Sequence, residues 1–140
     1  MAGVEISTQH WPLLLVKFDG QQTMRDADYF ISEMSAAHAR KTPYASISLM
    51  RKYSSERSQV NKVAQWMKAT ADETRRWCVG NGIVSQSLGF RFLLSSIFLV
   101  KPMPCPYSVC SSWDEAMTWI QGVSSKSGLA VPPVPNPWNV

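Results

Sequence analysis

Residues Trp11 to Met50 read WPLLLVKFDGQQTMRDADYFISEMSAAHARKTPYASISLM, and three different periods succeed one another within them. Trp11 to Phe18 is an almost unbroken apolar run that ends in the turn signal Asp19-Gly20. A short run that barely alternates reads as a strand buried on both faces. Thr23 then offers an N-cap, and Asp26 and Asp28 sit where negative charge favours the helix dipole. Met24, Ala27, Ile31, Met34 and His38 recur at steps of three and four, which marks one buried helical stripe. Arg40 and Lys41 close the last turn and Pro43 forbids continuation. YASISLM, Tyr44 to Met50, alternates and reads as the next strand. Strand, helix and strand in this order make a crossover unit, which calls for a parallel pair.

The flanking sequence repeats the alternation. Val4 to Thr8 alternates weakly and suits an edge strand paired with the first run. Ser54 or Ser55 can cap a second helix reaching to about Arg75, with Val60, Val63, Ala64, Met67 and Ala71 as its inner stripe. Trp77 to Ser85 reads as a strand whose Gly80-Asn81-Gly82 triplet is either a bulge or a hairpin turn. Leu88 to Val100 is too long for an ordinary strand and fits a helix. Tyr107 to Cys110 is a short strand behind the stiff Met103-Pro-Cys-Pro106 connector. Trp113 to Gly122 is a last amphipathic helix, capped by Ser112, with Ala116, Trp119 and Ile120 facing inward. The expected fold is α/β, with a mixed sheet of four to five strands and about four helices. Residues 1–124 form the domain. Residues 125–140, Ser-, Gly- and Pro-rich, are expected as an extended, flexible tail.

Composition narrows the function. The chain has 140 residues, 45% of them hydrophobic and 17% charged, which is globular rather than disordered. No apolar stretch approaches the roughly 20 residues of a spanning helix, so stable membrane insertion is not expected. No basic leader precedes the first apolar run, and the three cysteines cannot all pair. A cytoplasmic location is the expectation. Of the net charge of +4, all lies between Arg51 and Trp77, where seven cations face three anions. Such a patch suits an acidic partner or a phosphate. Nucleic acid is not indicated, because the cations are neither dense nor interleaved with aromatics.

The order of elements, and the close of the chain YSVCSSWDEAMTWI (107–120), resemble the SpoIIAA-like branch of the STAS family. In that branch a short strand is similarly followed by an acidic pair, Ala and a Trp-Leu or Trp-Ile pair. STAS domains form the anti-sigma factor antagonists and the cytoplasmic tails of sulfate transporters. The resemblance implies a regulatory module and, in its phosphorylated members, a Ser within Asp-Ser-Ser-Gly between a strand and a helix. Ser54 and Ser55 stand at the matching place, but Lys52 and Tyr53 replace the acidic approach and no Gly follows.

Two readings apply to each candidate residue. Ser54 and Ser55 are either plain helix caps or part of an anion or phosphate site with Arg51, Lys52 and Arg57. Trp66, beside Lys62 at the edge of a polar face, either anchors a partner or covers the margin of the core. Leu88 to Val100 is apolar nearly all round: Leu93 and Ile97 would face the core, with Phe92 and Leu99 on one flank and Leu94 and Phe98 on the other. Those flanks would form a contact surface, for a homodimer or another protein. His10 and His38 read as structural, as does Cys78 despite its neighbour Arg76. Cys105 and Cys110 lack the paired spacing of a zinc site, and no metal or cofactor motif is present. The expectation is therefore a non-enzymatic regulatory or protein-interaction module. The alternative is a binder of a small apolar or lipid-like ligand, and the further alternative is an enzyme. A cavity between Leu88–Val100 and the sheet would favour the ligand, a filled core with exposed Trp66 the protein partner.

Overall fold

The computed structural model describes residues 3–138. Its elements are β1 (Val4–Ser7), β2 (Leu13–Gln21), α1 (Met24–Ala39), β3 (Tyr44–Ser54), α2 (Arg57–Ala69), α3 (Ala71–Trp77), β4 (Cys78–Val84), α4 (Leu88–Val100), β5 (Tyr107–Cys110) and α5 (Trp113–Lys126). The five strands form one mixed sheet in the order β1-β2-β3-β4-β5. β1 runs antiparallel to β2, and β2 to β5 are mutually parallel. The α/β class and the mixed sheet are as expected, with five helices.

Both faces of the sheet are covered, which explains why the first apolar run hardly alternates. Leu13 and Leu15 of β2 face one core with Ile47, Leu49, Val84 and the α5 residues Trp113, Ala116 and Ile120. Leu14 and Val16 face the other, with Tyr44, Cys78 and Ala37 of α1. Thr23 caps α1 through a reciprocal box with Asp26, whose carboxylate accepts from the Thr23 backbone N–H at 2.9 Å.

The Gly80-Asn81-Gly82 triplet is neither turn nor interruption; β4 runs straight through it. The sequence places glycine there because α5 lies against the strand. A Cβ at Gly80 would stand 2.8 Å from Val123 Cγ1, and one at Gly82 3.3 Å from Ala116 Cβ. The register with β3 slips one residue earlier, since Tyr44 pairs with Cys78 but Ala45 with Gly80.

Other boundaries and faces differ from expectation. β3 does not stop at Met50 but continues to Ser54, so neither Ser54 nor Ser55 caps the next helix; Glu56 does. Ser55 Oγ donates instead to Gln59 Oε1 at 2.8 Å, which also accepts from the Glu56 backbone N–H at 3.0 Å. The helix after it is broken at Thr70. The Thr70 hydroxyl donates to the Trp66 carbonyl at 2.8 Å, the local competition that makes threonine a poor helix interior. The inner face of α2 runs through Gln59, Val63 and Trp66, with Met67 at its margin over the cavity, while Val60 is exposed. α5 passes Gly122 and ends at Lys126.

The Pro-rich segment is extended but is seated on the core rather than loose. Val131 and Val134 are buried against the α5 face, and Trp113 Nε1 donates to the Val134 carbonyl at 2.9 Å. Trp138 meets the Trp113 ring edge-on at 5.2 Å. An indole N–H buried inside a core needs an acceptor, and the extended segment supplies it.

Candidate functional site

The parallel strands end at one edge of the sheet, where open α/β sheets commonly bind ligands. β3 overruns its neighbour there: its last pairing with β4 is Leu49 with Val84, whereas the strand itself reaches Ser54. Against β2 the register steps from Asp19–Arg51 to Gln21–Ser54, so β3 carries one extra residue. Gly20 and Lys52 take the slack in left-handed backbone, at φ 77° and 48°. Glycine does so freely, whereas lysine pays for it in strain. The bulge turns Tyr53 onto the face of Phe18, which it meets edge-on at 5.7 Å, and toward Phe90 of α4 at 6.2 Å.

Two cavities open on either side of this aromatic group. The first, of about 220 Å³, lies between the sheet and α1, α2 and α4. Its walls are mainly apolar, among them Phe18, Phe30, Val63, Ile83, Leu94 and Phe98. Its few polar groups are engaged: Asn81 Oδ1 accepts from Ser46 Oγ at 3.0 Å, and Asp26 accepts from Gly3 N–H at 3.0 Å and from Thr23. The second, of about 610 Å³, opens beyond the end of β4, beside the overrun of β3, and is walled by Arg51, Lys52, Ser85, Gln86 and their neighbours. Met50 and Tyr53 line both.

α4 forms the outer wall. Its inward residues are Phe90, Arg91, Leu94 and Phe98. Phe98 packs edge-on against Tyr107 at 4.8 Å, and Arg91 Nη1 donates to the Ser85 carbonyl at 2.6 Å. Leu93 and Ile97, expected inside, are half-exposed at 52% and 46%. Leu94 and Phe98, expected on an outer flank, are cavity wall. Phe92 and Leu99 do project to the surface, joined by Leu88 and Val100. A helix apolar on every side carries no phase in its sequence, so its inner face could not be read from periodicity.

The proposed basic site is only partly brought together. Arg51 and Lys52 stand side by side on the larger cavity. Ser54 Oγ donates to Gln21 Oε1 at 3.1 Å, Arg57 begins α2, and Lys62 forms an ion pair with Asp28 of α1. Trp66 points inward: its ring stacks on His38, meets Phe30 edge-on at 5.9 Å, and donates from Nε1 to Ser35 Oγ at 3.2 Å. It is core margin rather than a projecting anchor. Sequence reasoning missed Met50, Tyr53, Ser85 and Phe90; the bulge that turns Tyr53 inward left no periodic trace.

A third space, about 70 Å³, continues inward from the apolar cavity, sharing Phe30 and Met103 with it, to His38, Tyr44, Cys78 and Cys105. His38 Nε2 and Tyr44 OH are 3.1 Å apart. Burial lowers the His38 pKa, against a weaker opposing pull from Glu73. Cys105 is held protonated by its hydrogen bond to Cys78 and by burial. Among the described residues no three His, Cys, Asp or Glu side chains converge as metal ligands, and no helix is long and apolar enough to cross a membrane.

No protein-family model and no curated protein sequence matches this chain.

Proposed function

We propose that the protein is a small-molecule binding module whose ligand lies between α4 and the sheet. The observation that carries this reading is the mainly apolar cavity of about 220 Å³ walled by Leu94 and Phe98 of α4 and by Phe18 and Ile83 of the sheet. A pocket of chiefly apolar wall with a few fixed polar groups is the usual form of a ligand site. The inward turn of Trp66 supports the same choice, since it removes the anchor a protein-binding α2 would have used. Under this reading the module is cytoplasmic and non-enzymatic. The element order supports kinship with the SpoIIAA-like STAS branch, as a binding rather than a phospho-switched member.

Native mass spectrometry of the protein taken from its own host without harsh washing tests this. A small co-purifying mass is expected, lost on denaturation and missing from Val63→Phe, which fills the cavity. A clean apo mass for the unaltered protein would overturn the reading.

A second reading rests on the outer face of α4. Phe92, Leu99 and Val100 are 75%, 85% and 81% exposed on one short helix, a patch of the kind that marks a protein contact. It would make the module an interaction partner, with a second copy or another protein.

A further inference from the structure

We infer that the ligand is an anionic amphiphile: a carboxylate or phosphate head held by Arg51 and Lys52, and a short alkyl tail inside the apolar cavity. This rests on the ligand-binding reading above and adds the chemistry of the ligand. The two cavities adjoin at Met50 and Tyr53, and the proposed ligand lies across that boundary. Their characters differ sharply. None of the residues lining the larger one is acidic, and two are cations. Among the described residues the ion pairs are Lys62–Asp28 and Arg75–Asp72, which leave Arg51 and Lys52 without a carboxylate. Asp19 is the register neighbour of Arg51 on β2, yet it forms no ion pair with it.

The bulge explains why the two cations stand here. The extra residue in β3 leaves Lys52 in left-handed backbone beside Arg51 and turns Tyr53 inward at the boundary of the two cavities. A strained lysine persists only where its surroundings hold it, and such strain gathers at binding sites. A guanidinium and an ammonium together favour an oxyanion, since both donate and neither accepts. The apolar end sets the tail. About 220 Å³ of mainly apolar wall has room for a short alkyl chain.

Calorimetric titration with octanoate, 1-octanol and octylamine, which share a chain length and differ in head charge, tests the inference. Octanoate is expected to bind most tightly and octylamine most weakly. Affinity among carboxylates should rise about fourfold per methylene until the tail outgrows the cavity. Arg51→Gln/Lys52→Gln should weaken octanoate about tenfold at low salt and leave octanol unchanged, and both residues are exposed enough for the variant to fold. Octanol binding as well as octanoate, with the double variant unaffected, would overturn the anionic head while leaving the cavity reading intact. Octanoate binding undiminished in Val63→Phe would place it on the surface cations alone and overturn the tail. Binding of none of the three would overturn the inference, whereas the reading beneath it falls only with a clean apo mass in native mass spectrometry.

Discussion

The imidazole of His38 lies flat against the indole of Trp66, with ring centroids 5.7 Å apart and planes 8° from parallel. One residue lies in the last turn of α1 and the other within α2, so the pair fastens the two helices together above the inner end of the cavity. On its other side His38 Nε2 meets Tyr44 OH at 3.1 Å, and burial there disfavours the charged ring.

That burial has a pH consequence whose sign is fixed. The native pKa of His38 lies below its ordinary 6.5, so between the two values the unfolded chain binds more protons than the native one. Stability should therefore fall as pH drops through 6.5 and level off once native His38 also protonates. The slope contributed by one group is no steeper than about 1.4 kcal/mol per pH unit. Urea midpoints at pH 7.5 and 5.5 should differ more for the unaltered protein than for His38→Gln. An equal loss in both would mean that His38 is not the titrating group.

Gly80 predicts a second effect. An added methyl would meet Val123 Cγ1 at 2.8 Å and the Trp119 ring at 3.3 Å. Gly80→Ala should cost about 1–3 kcal/mol, as overpacking of a filled core does. Gly82→Ala, with its closest contact at 3.3 Å, should cost less. Because one side chain is the main obstacle, Gly80→Ala/Val123→Ala should lose less than the sum of the two single changes. Strict additivity in thermal or urea unfolding would show that Val123 is not what excludes the methyl.

Much of the fold was legible in the sequence, and what was not has physical reasons. The Thr23 cap, the crossover order and the bounds of α4 follow from local chemistry, and local chemistry is what a sequence displays. The inner face of α2 did not, because Val60, Val63 and Met67 make one apolar stripe and Val63 with Trp66 another. The choice between them came from His38 and Phe30 on a helix distant in sequence. The bulge at Lys52 escaped for a similar reason: it is a mismatch between two strands, visible only once both are paired. Arg51 and Lys52 were recognisable as a basic pair from their charge, but not as the polar end of an apolar cavity. The prolines of the last segment gave its extended shape without its seat.

That seat is testable by removal. Ending the chain after Gly128 would expose the face covered by Val131 and Val134 and leave Trp113 Nε1 without its acceptor. Burying a valine is worth about 1.5 kcal/mol or more, so the loss should be about 3 kcal/mol, with a further contribution from the orphaned indole N–H. Truncation with an unchanged urea midpoint would show that the segment does not rest on α5 in solution.

The phase of α4 separates residues that share a composition and not a role. Phe98 is half-buried against Tyr107 and lines the cavity, so Phe98→Ala should cost about 2–4 kcal/mol, toward the lower end for a ring that is not fully enclosed. Phe92 and Leu99 are 75% and 85% exposed, and Phe92→Gln/Leu99→Gln should shift stability by no more than about 0.5 kcal/mol. If the outer face of α4 is a contact surface, the second change should also act where the first does not. Sedimentation velocity over a range of concentrations should show self-association in the unaltered protein and in Phe98→Ala, but a monomer in Phe92→Gln/Leu99→Gln. A monomer throughout would remove the second copy as the occupant of that face and leave a different protein. A large stability loss from Phe92→Gln/Leu99→Gln would mean that the helix is turned the other way, and the cavity walls of α4 would then have to be assigned afresh.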